Sequence, residues 1–268
     1  MRLVFSLLCC LFASPAVAQD LPIFDAHIHY NRSAGQRFSP ETILFILNRA
    51  GVGRALVSST PDDGTLLLHK TAPGRIVPFL RPYRSDADVA TWTKDPSVLD
   101  YIEDRLERGI YRGIGEFHLG PGDAASPVVV GIHRMAARQG LFLHAHTDDV
   151  AVEELLQLKP EVPILWAHAG MSASADTVGR LLERYQTLWV ELSLRFDVAP
   201  GGRLDPAWRA LFLRFPDRFM VGTDTWVDAQ WRRLPGIIGR FRVWLRQLPP
   251  DVAKQIASEN AERLFGGQ

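Results

Sequence analysis

Hydrophobic and polar positions fall into two alternating patterns along the 268-residue chain. Eight short stretches are almost continuously apolar: 23–30, 55–59, 76–81, 113–119, 141–147, 162–168, 188–194 and 219–224. Uninterrupted runs of this kind suit strands covered on both faces, not strands with one wet face. Between them, apolar residues recur at helical spacing. Ser39, Pro40 and Glu41 open one such stretch, with Ser39 placed to cap it and Pro40 at the first helical position. In 98–108, Leu99, Ile102 and Leu106 lie three and four apart, and Gly109 follows as a stop. Further helices are predicted over 132–139, 152–158, 177–185, 206–215 and 231–248, with Pro235 interrupting the last, and 252–264 closes the chain.

Strands alternating with helices build a parallel sheet, and eight of them over about 250 residues match the size of a (β/α)8 barrel. The alternative is an open doubly wound sheet. That fold carries a glycine-rich phosphate loop after its first strand, whereas this first strand ends in His27-Ile28-His29. No repeat, low-complexity tract or linker divides the chain, so a single domain over 19–268 is expected.

Residues 1–18 read as a cleavable secretory signal peptide. Arg2 supplies the positive start, 3–12 is a short apolar run, and Ala16-Val17-Ala18 presents small residues for cleavage before Gln19. The apolar run is shorter than the roughly 20 residues a membrane anchor needs. A lipoprotein site at Cys9 or Cys10 lacks the small residues that would precede it. The mature protein is therefore expected in the periplasm or outside the cell, without stable membrane association. Both cysteines leave with the signal, so a metal site must be built from His, Asp and Glu, and no thiol nucleophile or disulfide is available. The 30 basic and 30 acidic side chains cancel, which argues against a nucleic-acid partner, since phosphate binding needs excess cation.

Six of the eight histidines fall in or at the ends of predicted strands: His27, His29, His118, His144, His146 and His168. In an α/β barrel those carboxyl ends meet at the active site. His27 and His29 lie two apart on a strand and share a face, so they either lean onto one cation or are satisfied by core hydrogen bonds. Asp25 shares that face and could orient the pair as an acceptor. His146 lies nearer the end of its strand and is preferred as a ligand. His144 sits a layer deeper as support. Asp224 closes an apolar strand, where a carboxylate is costly without a partner; a helix cap is its other reading. Glu116 either bridges two metals or serves a buried salt bridge. Arg81 and Arg195 end strands three and seven, as forks for a substrate carboxylate or phosphate or as inter-loop ion pairs. A divalent ion on imidazole and carboxylate brings bound water towards a neutral pKa, a carboxylate such as Asp224 takes its proton, and an imidazole such as His168 polarises the substrate or shuttles the proton.

These motifs resemble the amidohydrolase superfamily, in particular the amidohydrolase-2-like metal-dependent hydrolases of TIM-barrel fold. The resemblance rests on Asp25-Ala26-His27-Ile28-His29, on His146 and His168, on Gly222-Thr223-Asp224, and on a closing helix around Asn260-Ala261. It implies that His27, His29, His146 and Asp224 bind the principal metal, zinc by preference, with Asp224 also the general base. His168 would bind a second metal or contact substrate. Glu116 is similar to the strand-four carboxylate that bridges two metals in some branches; the carboxylated lysine of others is excluded, because no Lys stands near that strand. One ion or two remain open. The implied activity is hydrolysis of an amide, ester or lactone of a small molecule. A mononuclear decarboxylase and a non-catalytic metal- or ligand-binding barrel are the alternatives.

Overall fold

The computed structural model describes residues 21–267. The predicted signal segment, with Cys9 and Cys10, lies outside the described residues. The eight apolar runs form eight strands: β1 (Ile23–Ile28), β2 (Val52–Val57), β3 (Ile76–Leu80), β4 (Gly113–His118), β5 (Phe142–His146), β6 (Ile164–Trp166), β7 (Leu188–Glu191) and β8 (Phe219–Met220). All pair in parallel, in chain order from β1 to β8. Beyond β8 the backbone returns to β1. The Ala26 N–H donates to the Val221 carbonyl, Asp224 N–H to His27, and His29 N–H to Thr225, each at 2.8 Å. The sheet thus closes as a (β/α)8 barrel.

Between and around the strands run α1 (Arg32–Gly35), α2 (Pro40–Ala50), α3 (Asp63–Thr71), α4 (Ser97–Leu106), α5 (Pro127–Gln139), α6 (Asp149–Leu158), α7 (Ala175–Arg184), α8 (Pro206–Arg214), α9 (Asp228–Leu245), α10 (Pro250–Lys254) and α11 (Asn260–Phe265). Ser39 caps α2 by accepting from the Thr42 N–H at 3.3 Å, and Gly51 ends it at φ 68°. No helix of the described residues is long and apolar enough to cross a membrane.

His69 lies in α3, in keeping with the helical pattern around it. Two helical expectations change. Pro235 does not interrupt α9, which runs through it for 18 residues. Its flanking turns are anchored in the core by Trp231, Leu234 and Ile238, which outweighs one lost backbone bond. The closing helix is broken by a π turn over Gln255–Glu259. The Ile256 carbonyl accepts from the Val221 N–H there, and the Asn260 amide donates to the Pro216 and Phe219 carbonyls at 2.8 and 2.9 Å. The irregular turn is what docks the end of the chain onto β8.

Inside the barrel, the lower end is filled by Phe24, Val77, Phe79, Leu165 and Met220, with Phe265 closing the floor. The Phe265 ring lies 5.5 Å from Phe79 and 4.9 Å from Phe142. His144 rests on this floor, 6.2 Å from the Phe79 ring. Above it the lining turns polar.

Candidate metal centre

The polar layer begins at β1. The Nε2 atoms of His27 and His29 face each other at 3.0 Å. Their Nδ1 atoms are committed elsewhere: His27 Nδ1 donates to Glu191 Oε1 at 3.0 Å, and His29 Nδ1 to the Ser58 carbonyl. Both partners accept only, so each ring carries a proton on Nδ1 and leaves Nε2 to take a cation, a proton or a metal ion. Two carboxylates join them. Glu116 Oε2 lies 3.4 and 3.2 Å from the two Nε2 atoms, and Asp224 Oδ1 3.5 and 3.1 Å. Two lone pairs and two carboxylate oxygens converging in a buried space repel one another unless a cation sits among them. Tetrahedral ligands on an ion at about 2.1 Å stand about 3.4 Å apart, close to the 3.0–3.5 Å separations here. The demand for positive charge shows on His27. Burial pushes its pKa down, yet Glu116, Asp224 and Glu191 together hold it well above the ordinary value.

The other oxygen of Glu116 serves a second group. Oε1 lies 2.8 Å from His146 Nδ1 and 3.4 Å from His168 Nε2, and those ring nitrogens are 3.1 Å apart. His146 therefore falls with Glu116, beside His168 and His118, not in the group of His27, His29 and Asp224 where the resemblance set it. The reason is barrel geometry: β5 lies four strands from β1 and beside β4, so its end meets Glu116 first. His168 Nδ1 is oriented by the Ser193 hydroxyl at 2.7 Å and the Ser193 carbonyl at 3.2 Å.

Glu191, Ser193 and Ser58 are site residues that sequence reasoning missed. Glu191 accepts from the His168 N–H at 2.7 Å and from the Ser193 N–H at 2.7 Å while holding His27. The signal was available: Glu191 closes an apolar strand as Asp224 does. Gly222 must be glycine, since a Cβ there would stand 2.1 Å from Glu191 Oε2. Asp25 does not orient the rings. Its carboxylate accepts from the Thr223 hydroxyl at 2.7 Å and from the Thr223 and His27 N–H groups, which locks β1 to the end of β8. Burial pushes its pKa up to about 7.

The strand ends carry backbone strain. His168, Ala169, Leu194 and Asp224 have φ of 55°, 45°, 59° and 48°. Positive φ is costly for a side-chain-bearing residue and clusters where geometry is set by function. It also explains why β6 stops at Trp166, short of the predicted 168.

His144 is fully buried, its ring 4.5 Å from that of His27, and neither nitrogen has a hydrogen-bond partner among the described residues. Burial holds it neutral, and it packs as support beneath His27. His118 stands at the mouth. Tyr83 OH accepts from the His118 N–H at 2.7 Å and faces His118 Nδ1 at 3.0 Å. The hydroxyl proton goes to Nδ1, which leaves His118 with an Nε2–H, 3.9 Å from Glu116 Oε1. Burial lowers the His118 pKa to about 4, so the ring is a neutral donor.

The two arginines differ. Arg81 donates through Nη2 to Glu116 Oε2 at 3.3 Å and through Nε to the Glu116 carbonyl at 3.0 Å, so it faces the site. Arg195 does not. Its donors are spent on the His168, Ala169 and Ala173 carbonyls and on both oxygens of Asp197. The expected substrate fork is a clamp on the strained loop behind His168. Arg195→Met strands those buried carbonyls at about 2–4 kcal/mol, so Tm is expected to fall by roughly 6–12 °C in thermal unfolding. A raised KM with an unchanged Tm would restore the substrate role.

The family model described as Amidohydrolase matches residues 24–267. Among curated proteins none matches this chain. A TatD homologue of Escherichia coli K12 superposes with a TM-score of 0.66 at 18% identity, covering 93% of this chain and 100% of that one. An uncharacterized TIM-barrel protein of Bordetella bronchiseptica follows at 0.64 and 15%, covering 91% and 98%. A probable 2-pyrone-4,6-dicarboxylic acid hydrolase of Acinetobacter baumannii, with citric acid bound, gives 0.63 and 13%, covering 91% and 99%. At these identities the likenesses speak for the fold.

Proposed function

The chain belongs to the amidohydrolase family, the metal-dependent hydrolases, and from that premise we propose that it binds two divalent ions, zinc by preference, and hydrolyses an amide, ester or lactone of a small molecule. The observation that carries this reading is Glu116, which offers one carboxylate oxygen to each of two converging ligand groups. The donor set fits such ions, because imidazole nitrogens and carboxylate oxygens suit zinc and those of His27, His29, Glu116 and Asp224 converge in one buried space. His27, His29, Asp224 and Glu116 would hold one ion, and Glu116, His146 and His168 the other. When bound, the ions lower the pKa of water towards neutrality and polarise the substrate carbonyl.

The remaining chemistry belongs to the side chains. Asp224 stands at the rim of the cluster, slightly exposed, where it takes the proton of the attacking water and returns it to the leaving group. His118 offers its Nε2–H to a substrate oxygen at the mouth. Glu191 and Ser193 keep the rings of His27 and His168 in register through the reaction. We place the enzyme in the periplasm or outside the cell on the strength of residues 1–18.

The test begins with elemental analysis of the purified protein, which is expected to carry about two ions per chain. Stripping with dipicolinate should abolish hydrolysis across a panel of esters, lactones and amides, and added zinc should restore it. A protein that hydrolyses equally well without metal overturns the reading. Carbon dioxide release from carboxylic acids without water addition would replace it with a lyase.

A further inference from the structure

Helix α9 buries one apolar face in the barrel and turns a mixed face, with Trp244 shared between core and cavity, to a groove. Trp231, Leu234, Ile238 and Leu245 are buried in the core. Arg233, Ile237, Arg240, Phe241 and Trp244 recur at helical spacing on another face, and they line a cavity of about 890 Å³. That is near the top of the roughly 300–1,000 Å³ range of small-molecule pockets. The cavity follows α9 from Ala229 to Trp244, about 22 Å of helix axis. Its facing wall is the segment after β7, where Leu192, Leu194 and Phe196 contribute. Leu194 is 37% exposed and Phe196 71%, so both present apolar surface at the edge of the open cavity. Leu194 is held there by its positive φ.

The inner end of the cavity lies one residue along the chain from the metal centre. Thr223 and Leu192 line it, and their chain neighbours are Asp224 and Ser193. No acidic side chain lines it, and the third arginine that does, Arg195, is neutralised by Asp197. Arg233 and Arg240 stand about 10 Å apart along the helix, one turn on either side of Ile237. Among the described residues neither has a carboxylate partner, and both are exposed along the cavity. An apolar trough with uncompensated guanidinium groups along one side is complementary to an amphiphile with an anionic head.

We propose that this groove holds the non-reacting part of the substrate, and that this part is an apolar body ending in a carboxylate bound by Arg233 and Arg240. The assignment of that ligand as substrate rests on the hydrolase reading above; the site itself rests on the groove.

The test is calorimetric titration of the whole protein with hexanoate, octanoate and decanoate. Affinity is expected to rise with chain length, by up to about fourfold per methylene. The Arg233→Gln/Arg240→Gln variant should bind decanoate at least tenfold more weakly and decanol within threefold of wild type, which also reports that the groove is intact. Arg233→Lys/Arg240→Lys should recover part of the decanoate affinity. Equal decanoate affinity in wild type and the glutamine variant, or no chain-length dependence, overturns the proposal. Because binding is read without turnover, the two readings fail separately. Decanoate binding in a protein that hydrolyses nothing counts against the hydrolase, and turnover without decanoate binding counts against the groove.

Discussion

Asp224→Asn is expected to lower kcat on any hydrolysed substrate by on the order of 10²- to 10⁴-fold, while leaving the barrel folded. The amide has the size of the carboxylate but cannot take a proton from water at neutral pH. The backbone argues that the variant folds. Asp224 has φ 48°, a conformation asparagine tolerates better than almost any other residue with a side chain. Its N–H to the His27 carbonyl is untouched by the change. Tm should therefore move by no more than about 2 °C. Steady-state kinetics beside metal analysis separates two causes of loss. Turnover lost with ion content kept assigns the proton to Asp224. A kcat within tenfold of wild type would remove Asp224 as the base.

The barrel was legible because burial on both faces writes itself as unbroken apolar runs, and because glycine, serine and proline mark the helix ends. The end of each strand was less legible. His168 and Asp224 continue their runs in sequence, but their backbones leave the extended region, and φ is not visible in composition. The ligand inventory was readable from residue type and strand position. Its partition was not: whether His146 meets Asp224 or Glu116 depends on which strands adjoin, a fact of closure and register. Orienting groups were the least readable. Glu191 could have been found by the argument that found Asp224, but Ser58 and Ser193 act through a backbone carbonyl or a hydroxyl, with no charge to betray them. Arg195 shows the converse: an arginine at a strand end looks the same in sequence whether its fork points at a ligand or at its own loop.

Glu116→Gln is the other change from which a large effect is expected, on both metal content and stability. The wild-type carboxylate is buried among His27, His29, His146, His168 and Arg81. Burial alone would raise its pKa, but the charge of His27 and the hydrogen bonds from His146 and His168 hold it well below the ordinary value. Glutamine keeps the shape, loses the charge, and can present a lone pair to only one of the two ligand groups. Ion content should fall from about two per chain to one or fewer, and kcat by at least about 10²-fold. Arg81 keeps the backbone carbonyl of residue 116 but loses its carboxylate partner. A buried charge stripped of its partner costs about 3 kcal/mol, so denaturant unfolding of the metal-stripped proteins at neutral pH should show a loss of that order. The pH dependence has a definite sign. A carboxylate whose folded pKa is depressed contributes its full stability above the unfolded value of about 4.3 and loses it as pH falls through the folded value. The gap between wild type and variant should therefore be constant near neutrality and narrow in acid below about pH 4. Elemental analysis that finds wild-type ion content in Glu116→Gln would dissolve the bridge. A stability gap that widens in acid would show that the charge of Glu116 does not stabilise the folded state.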